Sequence, residues 1–84
     1  MPESLSEKMK NLVEFLAKSL VEKPDEVVVE SKESEKIVLV ELKVASEDLG
    51  RVIGKDGHTI NAIRLVLQTA AASHDKKVRL DLLS

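Results

Sequence analysis

Two glycines separated by two charged residues are the feature that most constrains the fold of this chain. They form the run Gly54, Lys55, Asp56 and Gly57, and apolar residues flank the run at helical spacing on both sides. This pattern predicts a helix, a tight turn and a second helix. Such a turn exposes backbone N–H groups at a helix N-terminus, where unpaired donors and partial positive charge favour an anion. We therefore expect a phosphate-contacting turn.

The length and composition predict one globular domain over residues 1–84, near the lower size limit for a single hydrophobic core. Hydrophobic residues make up 43% of the chain and charged residues 33%, which is unlike a disordered segment. Without cysteine, and with only 2 histidines, we expect no disulfide, no metal site and no cofactor. The longest aliphatic run, Ile37–Val40, is far shorter than the ~20 residues that span a bilayer, so we expect a cytoplasmic protein without membrane contact.

Charge is divided unevenly along the chain. Residues 1–48 carry 7 Lys and Arg against 12 Asp and Glu, whereas residues 49–84 carry 6 against 3. The glycine turn thus lies in the basic part of a protein whose net charge is −2. This asymmetry favours a polyanion-binding face, although an uneven surface without function is the alternative.

The first predicted element is an amphipathic helix over residues 5–22. Ser4 and Glu7 form a Ser-x-x-Glu capping box at its start, and Pro24 ends it. Its apolar stripe, which we expect to cover a sheet, consists of Leu5, Met9, Leu12, Val13, Leu16 and Leu20.

A β-hairpin is predicted over residues 26–44. Its strands are Val27–Glu30 and Ile37–Val44, joined by a polar turn at residues 31–35. One face of the second strand is apolar throughout and the other only in part, which is typical of the central strand of a small sheet. The apolar face consists of Val38, Val40, Leu42 and Val44.

The glycine turn is predicted to join two helices within residues 46–73. Ser46 caps the first helix, Gly54 ends it, and the second helix runs from His58 to about Ser73. Leu65 lies nearly opposite the apolar face of the second helix. It is either part of a surface that binds a partner or an ordinary exposed leucine. That apolar face comprises Ile60, Ile63, Val66, Leu67, Ala70 and Ala71.

An alternating segment over residues 77–83 predicts the last strand, with Val78, Leu80 and Leu82 toward the core. Because two helices separate it from the central strand, a parallel pairing through a right-handed crossover is expected. The element order is thus αββααβ, and the predicted fold is α+β. Its three-stranded mixed sheet has the last strand beside the central one and all helices on one face.

Two other glycine motifs are excluded. Gly50 to Lys55 is one residue short of a P-loop, and Asp56 replaces the Ser or Thr that would bind magnesium. A dinucleotide-binding fingerprint would need a glycine at Val52 and a preceding strand in place of a helix. His58 and Asp56 lack a neighbouring nucleophile and an orienting third group, so we do not expect an enzyme.

The run Val52–Ile63, set between two helices in an αββααβ order, resembles the KH domain, and the order is similar to its type II variant. At 84 residues the chain looks like the small bacterial single-KH RNA-binding proteins of the KhpA type. The resemblance implies a groove for about four single-stranded nucleotides between the two helices, the glycine turn and an edge strand.

The resemblance also implies which residues bind RNA. The turn would clamp the backbone, and bases would rest on Ile53, Gly50 and the Val78–Leu80 strand. With Phe15 the single aromatic residue, base recognition by aromatic stacking is excluded. The implied RNA-binding residues are Gly50, Arg51, Ile53, Gly54, Lys55, Asp56, Gly57, His58, Asn61, Arg64, Lys77 and Arg79, with Lys76 as a further candidate phosphate contact.

Two alternatives stay open at these residues. Asp56 either weakens the clamp by offsetting the charge of Lys55 or caps the second helix. For each single cation, a solvated surface role is the alternative to a phosphate contact.

We thus expect a single-stranded RNA-binding protein, an RNA chaperone or post-transcriptional regulator; the pattern does not distinguish RNA from DNA. The alternative is a protein-interaction module that acts by homodimerisation or by pairing with another KH-containing protein, as the resemblance suggests.

Overall fold

A three-stranded mixed sheet organises the computed structural model, which describes residues 4–83. Its strands are β1 (Val28–Glu33), β2 (Ile37–Lys43) and β3 (Lys77–Leu83), in the order β1-β2-β3. β1 pairs with β2 antiparallel and β2 with β3 parallel. One face of β2 is fully buried through Val38, Val40 and Leu42. The predicted α+β fold, the strand order and the parallel closure are therefore confirmed.

The first helix, α1, spans Leu5–Leu20. Ser4 caps its start, since the Ser4 hydroxyl accepts a hydrogen bond from the Glu7 N–H at 3.2 Å. The helix ends two residues earlier than predicted because the N–H groups of Glu22 and Lys23 donate to Asp48 instead of continuing the helix. Its buried residues recur every fourth position as Leu5, Met9, Val13 and Ala17. The prediction that Leu20 joins this stripe was wrong: Leu20 is the last helical residue and is exposed.

The hairpin turn is shorter than the sequence predicts. Ser31, Lys32 and Glu33 continue β1 and pair with Val40, Leu39 and Val38 across the ladder. The turn is confined to residues 34–36, where the Ser34 N–H donates to the Ile37 carbonyl at 2.9 Å. Polar residues are tolerated in β1 because it is an edge strand with one exposed face.

The glycine turn joins α2 (Leu49–Ile53) to α3 (His58–Ala72). Ser46 does not cap α2, because residues 46–48 form a separate 3₁₀ turn in which the Ser46 hydroxyl contacts Glu47. In α3 the buried residues are Ile60, Ile63, Leu67 and Ala71. Val66 and Ala70, which the sequence places on the same apolar face, are exposed.

All three helices lie on the buried face of the sheet. α1 packs on β1 and β2, α3 packs on β3, and α2 contacts both α1 and α3. Val78 and Leu80 of β3 complete the core, while Leu82 packs against it half-buried. Within residues 4–83, no helix is long and apolar enough to cross a membrane.

Candidate nucleic-acid interface

The four residues between α2 and α3 form a turn that few side chains can adopt. Gly54, Asp56 and Gly57 have φ angles of 76°, 55° and 78°. The Gly54 N–H donates to the Gly50 carbonyl at 2.9 Å, and the Gly57 N–H donates to the Gly54 carbonyl at 3.1 Å. Positive φ is unstrained for glycine, so both glycines are needed for the path of the backbone.

Thr59 fixes the turn from the side of α3. A Cβ atom added at Gly54 would lie 2.2 Å from the Thr59 Oγ1 and 2.9 Å from the Thr59 nitrogen. Gly54 is therefore required both by its φ angle and by the close approach of Thr59. Sequence reasoning missed Thr59, because its contact with Gly54 depends on how sharply the chain turns.

Asp56 does not cap α3. The N-cap of α3 is Gly57, and neither the 3₁₀ turn nor α3 receives a capping hydrogen bond from a side chain. The capping alternative for Asp56 was therefore wrong. Asp56 is exposed and has φ 55° and ψ 23°, a left-handed conformation that Asp tolerates better than most residues. The His58 N–H donates to the Lys55 carbonyl, and no side chain caps the N-terminus of α3 that follows. A helix N-terminus without a side-chain cap suits an anion.

Several predicted cations keep their charge free. Lys55 and Lys77 are exposed, and neither of them forms a salt bridge with another residue of the range 4–83. The side chain of His58, next to the turn, is exposed as well. The Arg64 Nε and Nη2 donate to the Leu80 carbonyl at 3.3 and 3.2 Å, and its Nη1 donates to the Asn61 Oδ1 at 3.3 Å. Both acceptors are neutral, so the guanidinium is held in place while its charge stays uncompensated.

Other predicted cations are paired with acids. Arg51 contacts Glu22 and lies 3.6 Å from Asp48. The Arg79 Nε contacts the Asp81 carboxylate at 3.0 Å, and Lys76 pairs with Glu33. These pairs lower the positive charge that Arg51, Lys76 and Arg79 can offer to a phosphate.

An open groove runs between α3 and β3, and we call it the α3–β3 groove. It consists of two adjoining cavities of about 450 and 340 Å³ that share Gln68 and Val78. The lining residues are Arg64, Gln68, Ala72, Lys76, Lys77, Val78, Arg79, Leu80 and Asp81. Gln68 and Ala72 were missed by sequence reasoning; the signal was available for Gln68, which lies four residues after Arg64 on the same side of a helix.

The predicted residues of α2 lie outside this lining. Ile53 is 39% exposed, and a Cβ added at Gly50 would meet no atom within 4 Å. Both residues therefore face open space next to the glycine turn. The structure thus brings Arg64, Lys77 and Arg79 together in the α3–β3 groove, whereas Gly50 and Ile53 lie in α2, directly before the turn, and do not line those two cavities.

A buried acid holds α2 in place. Asp48 is 2% exposed, and its two carboxylate oxygens accept hydrogen bonds from the Glu22 and Lys23 N–H groups at 3.0 and 3.1 Å. Asp48 therefore ties the start of α2 to the segment after α1. Sequence analysis did not predict this contact, because partners 25 and 26 residues away leave no local pattern.

A surface ion pair lies next to this buried acid. The Lys23 ammonium donates a hydrogen bond to the Glu47 carboxylate and lowers the pKa of Glu47 to about 2.

Within residues 4–83, no group of three or more acidic or histidine side chains is arranged to hold a metal ion.

Comparison with known proteins identifies close relatives over most of the chain. The model of the family described as "KhpA/KhpB, KH domain" matches residues 10–82. The RNA-binding protein KhpA of Clostridium perfringens is 48% identical over 75 residues, which cover 89% of this chain and 100% of that protein. The protein of the same name from Borreliella burgdorferi is 43% identical over 72 residues, covering 86% of this chain and 88% of the relative.

Two solved structures of Era share the fold. A point variant of Aquifex aeolicus Era bound to GDP·AlF₄⁻ matches 98% of this chain with a TM-score of 0.70 at 19% identity. Era in complex with MgGDPNP and nucleotides 1506–1542 of 16S ribosomal RNA matches 95% with a TM-score of 0.67 at 22% identity. This chain spans 31% and 30% of the length of those two chains. At this level of identity, the likeness concerns the fold alone.

Proposed function

This chain belongs to the KhpA/KhpB KH-domain family, and from that premise we propose that it binds single-stranded RNA. The observation that supports the proposal most is the glycine turn, which ends in a helix N-terminus without a side-chain cap. Lys55 adds a free positive charge within the turn, and the α3–β3 groove extends from the same helix. The relatives named RNA-binding protein KhpA support RNA as the ligand.

Both backbone and side-chain groups of the clamp contact RNA. The N–H groups of the first turn of α3 and the Lys55 ammonium bind phosphate. Arg64 is positioned by two neutral acceptors, so it adds charge to the groove without losing it to a carboxylate. Bases rest on aliphatic surface at Ile53 and along β3, since no aromatic side chain lies in the groove lining.

Gln68 is a neutral side chain of the groove that can form hydrogen bonds with bases. It is exposed and lines both cavities, between the cations Arg64 and Lys77. Its amide can donate and accept hydrogen bonds on a base edge, whereas the cations can only donate. We assign phosphate binding to the turn and its cations, and base contact to Gln68, Ile53 and the β3 edge.

RNA binding of this kind fits a chaperone or post-transcriptional regulator. A groove for about four nucleotides binds weakly alone, so joining two grooves would raise affinity by avidity. We therefore also propose pairing with a second KH-containing chain. A module devoted mainly to protein interaction is not favoured, because the relatives are named for RNA binding.

Charge reversal at the clamp tests the proposal. Short single-stranded RNA is titrated against the wild type and against Lys55→Asp, with circular dichroism as the check of folding. We expect the variant to stay folded, since Lys55 is exposed and unpaired within residues 4–83, and to lose at least about tenfold in affinity at low salt.

A matched control separates the clamp from general electrostatics. Lys43 lies exposed on the open face of the sheet, away from the helices, and Lys43→Asp makes the same change in net charge. RNA affinity of Lys43→Asp should stay close to that of the wild type. Equal losses in both variants, or unchanged binding in a folded Lys55→Asp, would contradict the clamp.

A further inference from the structure

The open face of the sheet, opposite the helices, carries its side chains in rows that run across the strands. Directly paired residues have their side chains on the same face, so the register places Lys32, Leu39 and Arg79 in one row. Ile37 and Lys77 form the next row toward the hairpin turn. All five are on the open face, because the alternate residues of β2 are buried against the helices. We call these five residues the outer strip.

The outer strip has an aliphatic centre between cations. Ile37 is 39% exposed and Leu39 is half-buried. Lys32 flanks them on β1, and Lys77 and Arg79 flank them on β3. Because neighbouring strands are ~4.8 Å apart, the backbones of the outer strands are separated by about 10 Å. Aliphatic surface for bases thus lies within reach of positive charge on both sides.

The positive charge of the outer strip is largely available to a ligand. Lys32 and Lys77 form no salt bridge with another residue of the range 4–83. Arg79 contacts Asp81 through its Nε, and its side chain is 69% exposed. The outer strip therefore attracts an anion.

An acidic row bounds the outer strip on the side away from the hairpin turn. Glu30, Glu41 and Asp81 are paired in register across the three strands. They lie two residues along each strand from the outer strip, which is about 7 Å. Because this row repels phosphate, an anionic strand on the open face is confined to the outer strip. On the other side, the hairpin turn carries Glu35 and Lys36, whose charges offset each other.

The outer strip continues the α3–β3 groove around the edge of β3. Lys77 and Arg79 line the groove and also belong to the outer strip. β3 is the last strand of the sheet on this side, so no further strand separates the two surfaces. An RNA strand that leaves the groove past β3 meets cations at the edge and aliphatic surface beyond them.

We propose that the outer strip binds the continuation of a single-stranded RNA held in the α3–β3 groove. This inference rests on the proposed RNA function and extends its site. Phosphates contact Lys77 and Arg79 at the edge and Lys32 at the far side, and bases rest on Ile37 and Leu39. A width of about 10 Å accommodates about two or three nucleotides at the ~3.4 Å per phosphate of a stacked strand. The whole footprint is therefore about six nucleotides, compared with about four for the groove alone.

The length of the RNA tests the outer strip. Tetrauridylate and octauridylate are titrated by fluorescence anisotropy against the wild type and against Lys32→Glu, with circular dichroism as the check of folding. Lys32 does not line the groove, so the variant should bind tetrauridylate as the wild type does. Its affinity for octauridylate should fall by at least about fivefold at low salt. Each oligomer is compared between proteins, so the larger number of binding registers on the longer RNA cancels.

Lys43→Glu is the matched control. It makes the same change in charge on the same face of the sheet, but Lys43 lies in the row of Val28 and Leu83, beyond the acidic row. This variant should bind octauridylate about as tightly as the wild type.

Three outcomes would overturn the inference and leave the RNA proposal standing. They are an unchanged affinity of folded Lys32→Glu for octauridylate, an equal loss for both oligomers in that variant, and an equal loss of octauridylate affinity in Lys43→Glu. A wild type that binds neither oligomer would contradict the RNA proposal itself, and with it the outer strip.

Discussion

Glycines in this chain meet different demands at the level of single residues. Gly54 is fixed by its positive φ angle and by Thr59, so any side chain would be strained and would overlap a neighbour. Gly57 is fixed by φ alone, since an added Cβ would meet only the Asn61 amide at 3.5 Å. Gly50 has neither constraint, because it lies inside α2 and faces open space. Nothing in the protein itself therefore requires glycine at position 50.

Gly50→Ala should separate stability from binding. Alanine favours helix, so the free energy of unfolding should rise by about 0.5–1 kcal/mol. If RNA lies against α2, the new methyl group occupies its space and affinity should fall by about tenfold. Urea unfolding and RNA titration measure the two effects.

Gly54→Ala is the contrasting variant. It should lose at least about 2 kcal/mol of stability, because it combines a left-handed alanine with overlap at Thr59.

Unchanged RNA affinity in Gly50→Ala would remove Gly50 from the interface, whatever the effect of that variant on stability.

Asp48 links elements that are distant in the sequence. It accepts the N–H groups that follow α1 and stands directly before α2, so one carboxylate fixes both the end of α1 and the start of the helix that leads into the clamp. Arg51 reinforces the same site from α2. The position of the glycine turn therefore depends on a contact made outside the turn.

Asp48→Ala should destabilise the fold by about 2–3 kcal/mol, because it leaves two backbone N–H groups without their partner in a partly buried site. For a domain of this size, the melting temperature should fall by about 10–20 °C. Asp48→Asn keeps acceptor capacity at one oxygen and should lose less. Thermal unfolding followed by circular dichroism gives both values.

The neighbouring Glu47 provides the control for Asp48. Glu47 is exposed, and Glu47→Ala should change the melting temperature little at neutral pH. Equal effects at positions 47 and 48 would show that the loss reflects surface charge and not the buried hydrogen bonds.

At the scale of the whole molecule, net charge opposes RNA binding and local charge favours it. The chain carries a net charge of −2, with a pI near 5.7. Lys55, Arg64 and Lys77 are nevertheless free of salt bridges with other residues of the described range. Lys55 lies in the glycine turn, and Arg64 and Lys77 line the α3–β3 groove. Binding should therefore depend on a few contacts and not on a general attraction to polyanions.

Salt dependence tests this view of the molecule. Three phosphate contacts predict a slope of about −2 in a plot of log affinity against log salt concentration, since single strands contribute about 0.7 per contact. Lys55→Asp should reduce the size of the slope by about one third or more. Titrations over a series of salt concentrations measure it, and a slope that is the same in both proteins would contradict the contact at Lys55.

Local signals in the sequence were sufficient for the elements and their order. The capping box at Ser4, the alternation in β2 and the two glycines each act over a few residues, so the αββααβ order and the glycine turn could be predicted directly. The parallel pairing of β2 and β3 was also predicted, because a connection through two helices favours a right-handed crossover between parallel strands. The predicted boundaries of helices and strands were less exact where residues distant in the sequence contact each other, as at the end of α1 and in the extension of β1.

Tertiary structure alone decided which groups are free to act. Arg51 and Arg64 look alike in the sequence, yet one is paired with two carboxylates and the other with neutral oxygens. Asp56 looks like a helix cap and instead adopts the left-handed turn, while Asp48 looks like an exposed acid and is buried. The physical reason is the same in each case. Charge compensation, burial and close approach depend on residues brought together from distant parts of the chain, which no local pattern encodes.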